Sequence, residues 1–237
     1  MRRVVIVCSV VVVALVAGGG WWFTRDTAPP PMSVDDVAAS GSGGSAGAGS
    51  AGLDGTWSVA KGSDSQAGLR IVEDRFGGLR DNTAVGRTTA VTGSAIAEGR
   101  TVSKASFTVD LSKVRFSDDP GLDVANRSTY LRTKSLETDT YPNATFTLTE
   151  PIRLSRTPAD GATVTASATG TLTLHGVDKR VTFDVDAKVD GSRVVLATAK
   201  PVPVKLADYG IDAPEITGLS KVRGTGQFEF VVVLRRG

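Results

Sequence analysis

The sequence predicts an all-β domain, a barrel or sandwich of short antiparallel strands, carried behind one transmembrane helix and a flexible linker. Three observations lead there. An uncharged apolar stretch opens the chain, apolar and polar residues alternate in short runs after Asp54, and turn-forming pairs separate those runs. Composition agrees: 41% of the 237 residues are hydrophobic and 22% charged, enough apolar material for a core and too much for wholesale disorder. Lys+Arg 27 against Asp+Glu 25 gives a net charge of +2 with no basic block, so a nucleic-acid partner is not expected. The only cysteine is Cys8 and the only histidine His175, which excludes disulfide scaffolds, structural zinc sites and catalysis by paired histidines.

The elements follow in order. Residues 1–3, with Arg2 and Arg3, precede an uncharged segment from Val4 to Phe23. Twenty helical residues span about 30 Å, the thickness of a bilayer's hydrocarbon core. Arg2 and Arg3 keep the N-terminus in the cytoplasm, and Trp21 and Trp22 fall where an aromatic belt meets the outer headgroups. This predicts a single-pass anchor over 4–23 with the remainder outside the cytoplasm. A cleaved signal peptide is the rival reading, but no A-x-A site follows the long apolar run. Residues 24–53 are Pro, Gly, Ser and Ala-rich, a composition that buries little and reads as a disordered linker. Within it Gly43–Gly47 fits a hydrolase elbow and Gly47–Gly52 a dinucleotide fingerprint. Neither has the strand and helix that would give it meaning.

The β domain occupies 54–237. Phe107, Val109 and Leu111 alternate with polar neighbours, as do Phe146 and Leu148, Leu172 and Leu174, and Val181, Phe183, Val185, Ala187 and Val189. Near the end Phe228, Phe230, Val232 and Leu234 form one face and Glu229, Val231, Val233 and Arg235 the other. Glu98-Gly99, Asp160-Gly161, His175-Gly176 and Asp190-Gly191 are the turns, the last being the best hairpin signal. From Phe116 to Thr140 alternation lapses, which predicts a short helical excursion and loop over one end. A barrel of about eight strands is either filled by its side chains or encloses one small ligand.

Few motifs carry chemistry. Ser58-Val59-Ala60-Lys61 matches S-x-x-K, yet it lies on a predicted strand and lacks both partner motifs. Asp118, Asp119 and Asp123 read first as a turn through Pro120-Gly121, ahead of a carboxylate pair or calcium site. His175, entering a glycine turn, suits a structural or headgroup contact better than catalysis.

Two stretches together resemble the YceI-like family of lipocalin-like isoprenoid-binding domains. Leu131 to Phe146 ends Tyr141-Pro142-Asn143-Ala144-Thr145-Phe146, similar to the family's yP-x-A-t-F element, and Gly170 to Phe183 is similar to its G-x-L-T-x-H-G-v-x-K-x-V-t element. Ala207-Asp208-Tyr209-Gly210-Ile211 adds a weaker match to a dFGi-like turn. The sequence departs from the family where Arg127 is followed by Ser128 rather than Asp, and where Ala60-Lys61-Gly62-Ser63 offers no histidine.

The resemblance implies an extended antiparallel eight-stranded barrel with an apolar tunnel. It also implies a long-chain amphiphile, a membrane lipid, as ligand, such as a polyprenyl compound, an isoprenoid quinone or a fatty-acyl compound. No other cofactor and no metal is expected. Tunnel candidates are Trp57, Phe76, Phe107, Val109, Leu131, Phe146, Leu148, Leu172, Leu174, Phe183, Val185, Phe228 and Phe230. Headgroup candidates are Arg127, Arg132, Lys134 and His175, because a pyrophosphate or quinone head takes cations or donors. The expected function is non-catalytic lipid binding outside the cytoplasm. The alternatives are an envelope stress or interaction module with a filled barrel, or a hydrolase; protein partners are not indicated.

Overall fold

The structure, a computed structural model, describes residues 28–38, 52–62, 64–75, 80–116, 128–159, 161–213, 215–216 and 220–237. The anchor expected over 4–23 lies outside them. Among the described residues no helix is long and apolar enough to cross a membrane.

A four-residue helix, α1 (Asp35–Ala38), precedes the strands β1 (Gly55–Val59), β2 (Gln66–Arg75), β3 (Arg80–Thr88), β4 (Val91–Glu98), β5 (Thr101–Asp110) and β6 (Arg115–Phe116). There follow β7 (Asn143–Leu148), β8 (Ile152–Arg153), β9 (Thr163–Leu174), β10 (Val177–Asp190), β11 (Arg193–Thr198), β12 (Val202–Lys205), β13 (Glu215–Ile216) and β14 (Ser220–Arg236). Eight of these close a ring in the order β1-β4-β5-β7-β9-β10-β11-β14, with β14 returning to β1, and every pairing is antiparallel. Closure leaves the ring no unpaired edge strand. The expected eight-stranded barrel is therefore present, and it is extended. β14, at 17 residues, pairs with β1 near its end and with β2 along its first part, so a second tier of β2, β3 and β6 continues the wall.

Turns fall at three of the four expected places, while Asp160 of the Asp160-Gly161 pair lies outside the described residues. His175 (φ 52°) and Gly176 (φ 71°) make the two-residue β9–β10 turn, both left-handed as a right-twisted hairpin requires. Gly99 and Gly191 also have positive φ, between β4 and β5 and between β10 and β11. In the predicted helical excursion, residues 128–130 are helical and Leu131–Ser135 form one π turn, closed by Leu136 N donating to Leu131 O at 3.0 Å.

The linker reading needs correction in part. Residues 28–38 lie across the outside of the barrel, where Met32 (4% exposed), Val34 (4%) and Val37 (2%) bury against Val195 and Ala197 of β11 and Val231 and Val233 of β14. This strap is pinned by charge. Arg70 donates to Pro29 O at 2.9 Å and Arg87 to Pro30 O at 2.7 Å. Met32 N donates to the buried Glu229 carboxylate at 3.3 Å, and Lys188 pairs with Asp35 at 2.8 Å. Ser33 caps α1, its Oγ accepting from Asp35 N while its own N–H donates to Asp36.

Candidate functional site

Strand alternation sends one side chain in two to the interior. In a ring this wide those side chains do not fill the centre, and two adjoining apolar lobes remain. The larger has a volume of about 160 Å³ and the smaller about 100 Å³. A water needs only about 10–15 Å³ of such space, so either lobe has room for a hydrocarbon segment.

Of the tunnel candidates, Val109, Leu131, Leu172, Leu174 and Phe228 line the larger lobe. Trp57, Leu148, Phe183 and Val185 line the smaller, and Phe107, Phe146 and Phe230 line both. Phe76 lies outside the described residues. The phenylalanines meet mid-barrel: Phe183 packs edge-on against Phe146 and Phe228 at 5.2 Å between centroids and against Phe230 at 6.2 Å. They form a constriction, with open space on either side of it.

Two glycines set the constriction. Gly93 pairs with Phe107 across β4 and β5, and a Cβ built there would stand 2.5 Å from that ring. A Cβ on Gly170 would strike Thr147 O and the Phe146 ring. Glycine opposite an aromatic leaves a flat patch on which the ring lies, which fixes its direction.

One end of the larger lobe is closed by loops. Leu131 and Leu136 of the helical turn belong to one buried cluster with Leu206, Tyr209 and Ile211. Four of these, Leu131, Leu136, Leu206 and Ile211, also line the lobe. His175 ties these loops to the β9–β10 turn. Its Nε2 lies 2.8 Å from Glu137 Oε2, its Nδ1 lies 3.1 Å from Tyr209 O, and its ring packs 4.3 Å from Tyr141. Glu137 (φ 45°) and His175 (φ 52°) are the described non-glycine residues with left-handed backbone, and both belong to this junction. Such strain persists only where surroundings hold it. Burial pushes the Tyr209 hydroxyl above the ordinary tyrosine value, helped by the neighbouring Asp208 charge.

The headgroup candidates fare differently from the tunnel. Arg127 lies outside the described residues. Arg132 spends its guanidinium on Val114 O at 3.0 Å and Thr129 Oγ1 at 3.4 Å, Lys134 is exposed, and both His175 nitrogens are engaged. None of these three lines a lobe, nor does any lysine or arginine among the described residues. Sequence reasoning missed Ser135. It is 8% exposed and contributes to the wall of the larger lobe, while its Oγ is closed off from that space and has no hydrogen-bond partner among the described residues. Among the described residues no group of three or more His, Cys, Asp or Glu could hold a metal ion.

The YceI-like domain family matches residues 59–234. Among solved structures, a polyisoprenoid binding domain from Saccharophagus degradans, implicated in plant cell wall breakdown, superposes with TM-score 0.54 at 21% identity, covering 76% of this chain and 98% of that one. BcnA of Burkholderia cenocepacia gives TM-score 0.49 at 18% identity, covering 70% and 95%. A YCEI protein of Campylobacter jejuni gives 0.46 at 14%, covering 64% and 84%. No curated protein matches the chain.

Proposed function

This chain belongs to the YceI-like family, and from that membership we propose that its barrel holds one long-chain isoprenoid or similar amphiphile without transforming it. The observation that carries the reading is the two-lobed apolar interior, which leaves space where a packed core would leave none. The Saccharophagus domain of the same fold supports it, being described as polyisoprenoid binding. Each CH₂ moved from water into such an interior is favourable by about 0.8 kcal/mol, so a prenyl tail needs few polar contacts to bind. The apolar segment 4–23 supports an uncleaved anchor that keeps the barrel outside the cytoplasm and beside the bilayer supplying its ligand.

Native mass spectrometry of the full chain, gently extracted from its own host, tests this. The expected spectrum carries one added mass that fragments as an isoprenoid lipid. A clean apo mass after mild extraction, with no uptake of added isoprenoid, would replace the reading with that of an interaction module.

A further inference from the structure

The strap fixes where the chain running back to the proposed anchor leaves the barrel. Its first residues cross β3 and β2, where Arg87 donates to Pro30 O at 2.7 Å and Arg70 to Pro29 O at 2.9 Å. From there it passes Glu229 and reaches Lys188, close to the β10–β11 turn. The end that leads to the anchor therefore lies on the side away from that turn. Five peptide steps separate Phe23 from Ala28. A chain that short reaches at most about 17 Å, whereas a wholly flexible stretch over 24–53 would let the barrel stray by about 30 Å on average.

The surface beside that exit is basic. Arg115 of β6 is exposed and pairs directly across from Arg87, which holds Pro30. Lys113, two residues back, is exposed too. The helical turn adjoins them: Arg132 donates to Val114 O at 3.0 Å, and Phe116 N donates to Ser128 Oγ at 3.1 Å. Lys134 of the same turn is exposed. Residues 111–116 and 128–136 hold these four cations and no carboxylate. Residues 117–127, outside the described ones, add Arg127 and three aspartates, so the full stretch keeps five cations against three acids. Tyr130, 42% exposed, stands among them, one of two large apolar side chains so exposed among the described residues. A phenol ring with flanking lysines and arginines suits a lipid headgroup layer, where the ring lies at the interface and the long stems carry their charge to phosphates.

Resting on the proposed anchor, we infer that this face, Tyr130 with Lys113, Arg115, Arg132 and Lys134, docks on the anionic headgroups of the bilayer that holds the anchor. The turn that bears Tyr130 also gives Leu131 and Leu136 to the wall of the larger lobe. Docking there brings the loop-closed end of that lobe against the membrane that supplies its lipid.

The test uses the full chain in a C8S background, reconstituted into vesicles of equal parts phosphatidylcholine and phosphatidylglycerol that carry a headgroup-linked quencher. A fluorophore on T129C reports the proposed face. One on S192C reports the β10–β11 turn, at the far end of β10 from the loops that His175 ties. Quenching is expected to be several-fold stronger at residue 129 than at residue 192, and to weaken in phosphatidylcholine alone or in high salt. The reversal K113E/R115E/K134E should bring residue 129 down to the level of residue 192, since each lost cation costs about fivefold in affinity for an anionic surface. These three residues line neither lobe, so the variant should melt with the parent and take up isoprenoid in detergent as the parent does. Equal quenching at the two positions, or quenching at residue 129 that survives the reversal, overturns the inference and leaves the anchor standing. A chain that salt washes off the vesicles overturns both.

Discussion

Gly170 shows how much one missing methyl decides. Its place on β9, beside Thr147 O and beneath Phe146, is occupied to contact already, so any side chain must displace backbone or the ring. G170A is expected to lose about 1–3 kcal/mol of stability, as overpacked sites do, measured by urea unfolding at constant m-value. A variant as stable as the parent would show that the Phe146 ring has another place to rest. The strained pair Glu137 and His175 works oppositely, through a cost of about 1–3 kcal/mol per residue that its partners must offset. Neither effect is visible in strand periodicity. His175 was found in the sequence as the lone imidazole beside a glycine, but its partners Glu137 and Tyr209 lie 38 and 34 residues away, and only folding brings them together.

At the level of elements, the alternating runs were legible because each ring strand has one wet face and one dry face. β14 breaks that rule. Its outer face reads Glu229, Val231, Val233, and two valines turned away from the interior were a signal that something covers them. The cover is the strap, whose low-complexity surroundings hid Met32, Val34 and Val37 from a compositional reading. Glu229 is the pin: its side chain is wholly buried, 3.1 Å from Arg87 and 3.6 Å from Arg70. E229A should cost about 3–5 kcal/mol, because it strands two guanidiniums under the strap, and should raise amide exchange over residues 28–38. E229Q keeps an acceptor for Met32 N and should sit between the two. Unchanged exchange in E229A would assign the strap's hold to its apolar side chains alone. Ser135 was illegible for a different reason: a π turn has no propensity signature, and a serine in a polar loop looks solvated until the fold encloses it.

For the whole molecule, the closed ring and its extension were foreseeable from strand count and resemblance, whereas the division of the interior was not, since periodicity says which side chains point inward but not where they touch. Phe183 stands at that division, in contact with three other rings. F183A should join the lobes and cost about 3–5 kcal/mol in the empty protein. Added geranylgeraniol should return more of that melting temperature to the variant than it adds to the parent, because it fills the new space. Equal gains in both would place the lipid wholly on one side of the rings. Where Phe107, Phe146 and Phe230 serve both lobes, any occupant of the full length must narrow to a waist. A slender, bendable hydrocarbon has such a waist anywhere along it, while a fused polycycle of sterol breadth has none, so under the proposed role the barrel would sort greasy molecules by girth before any headgroup is read.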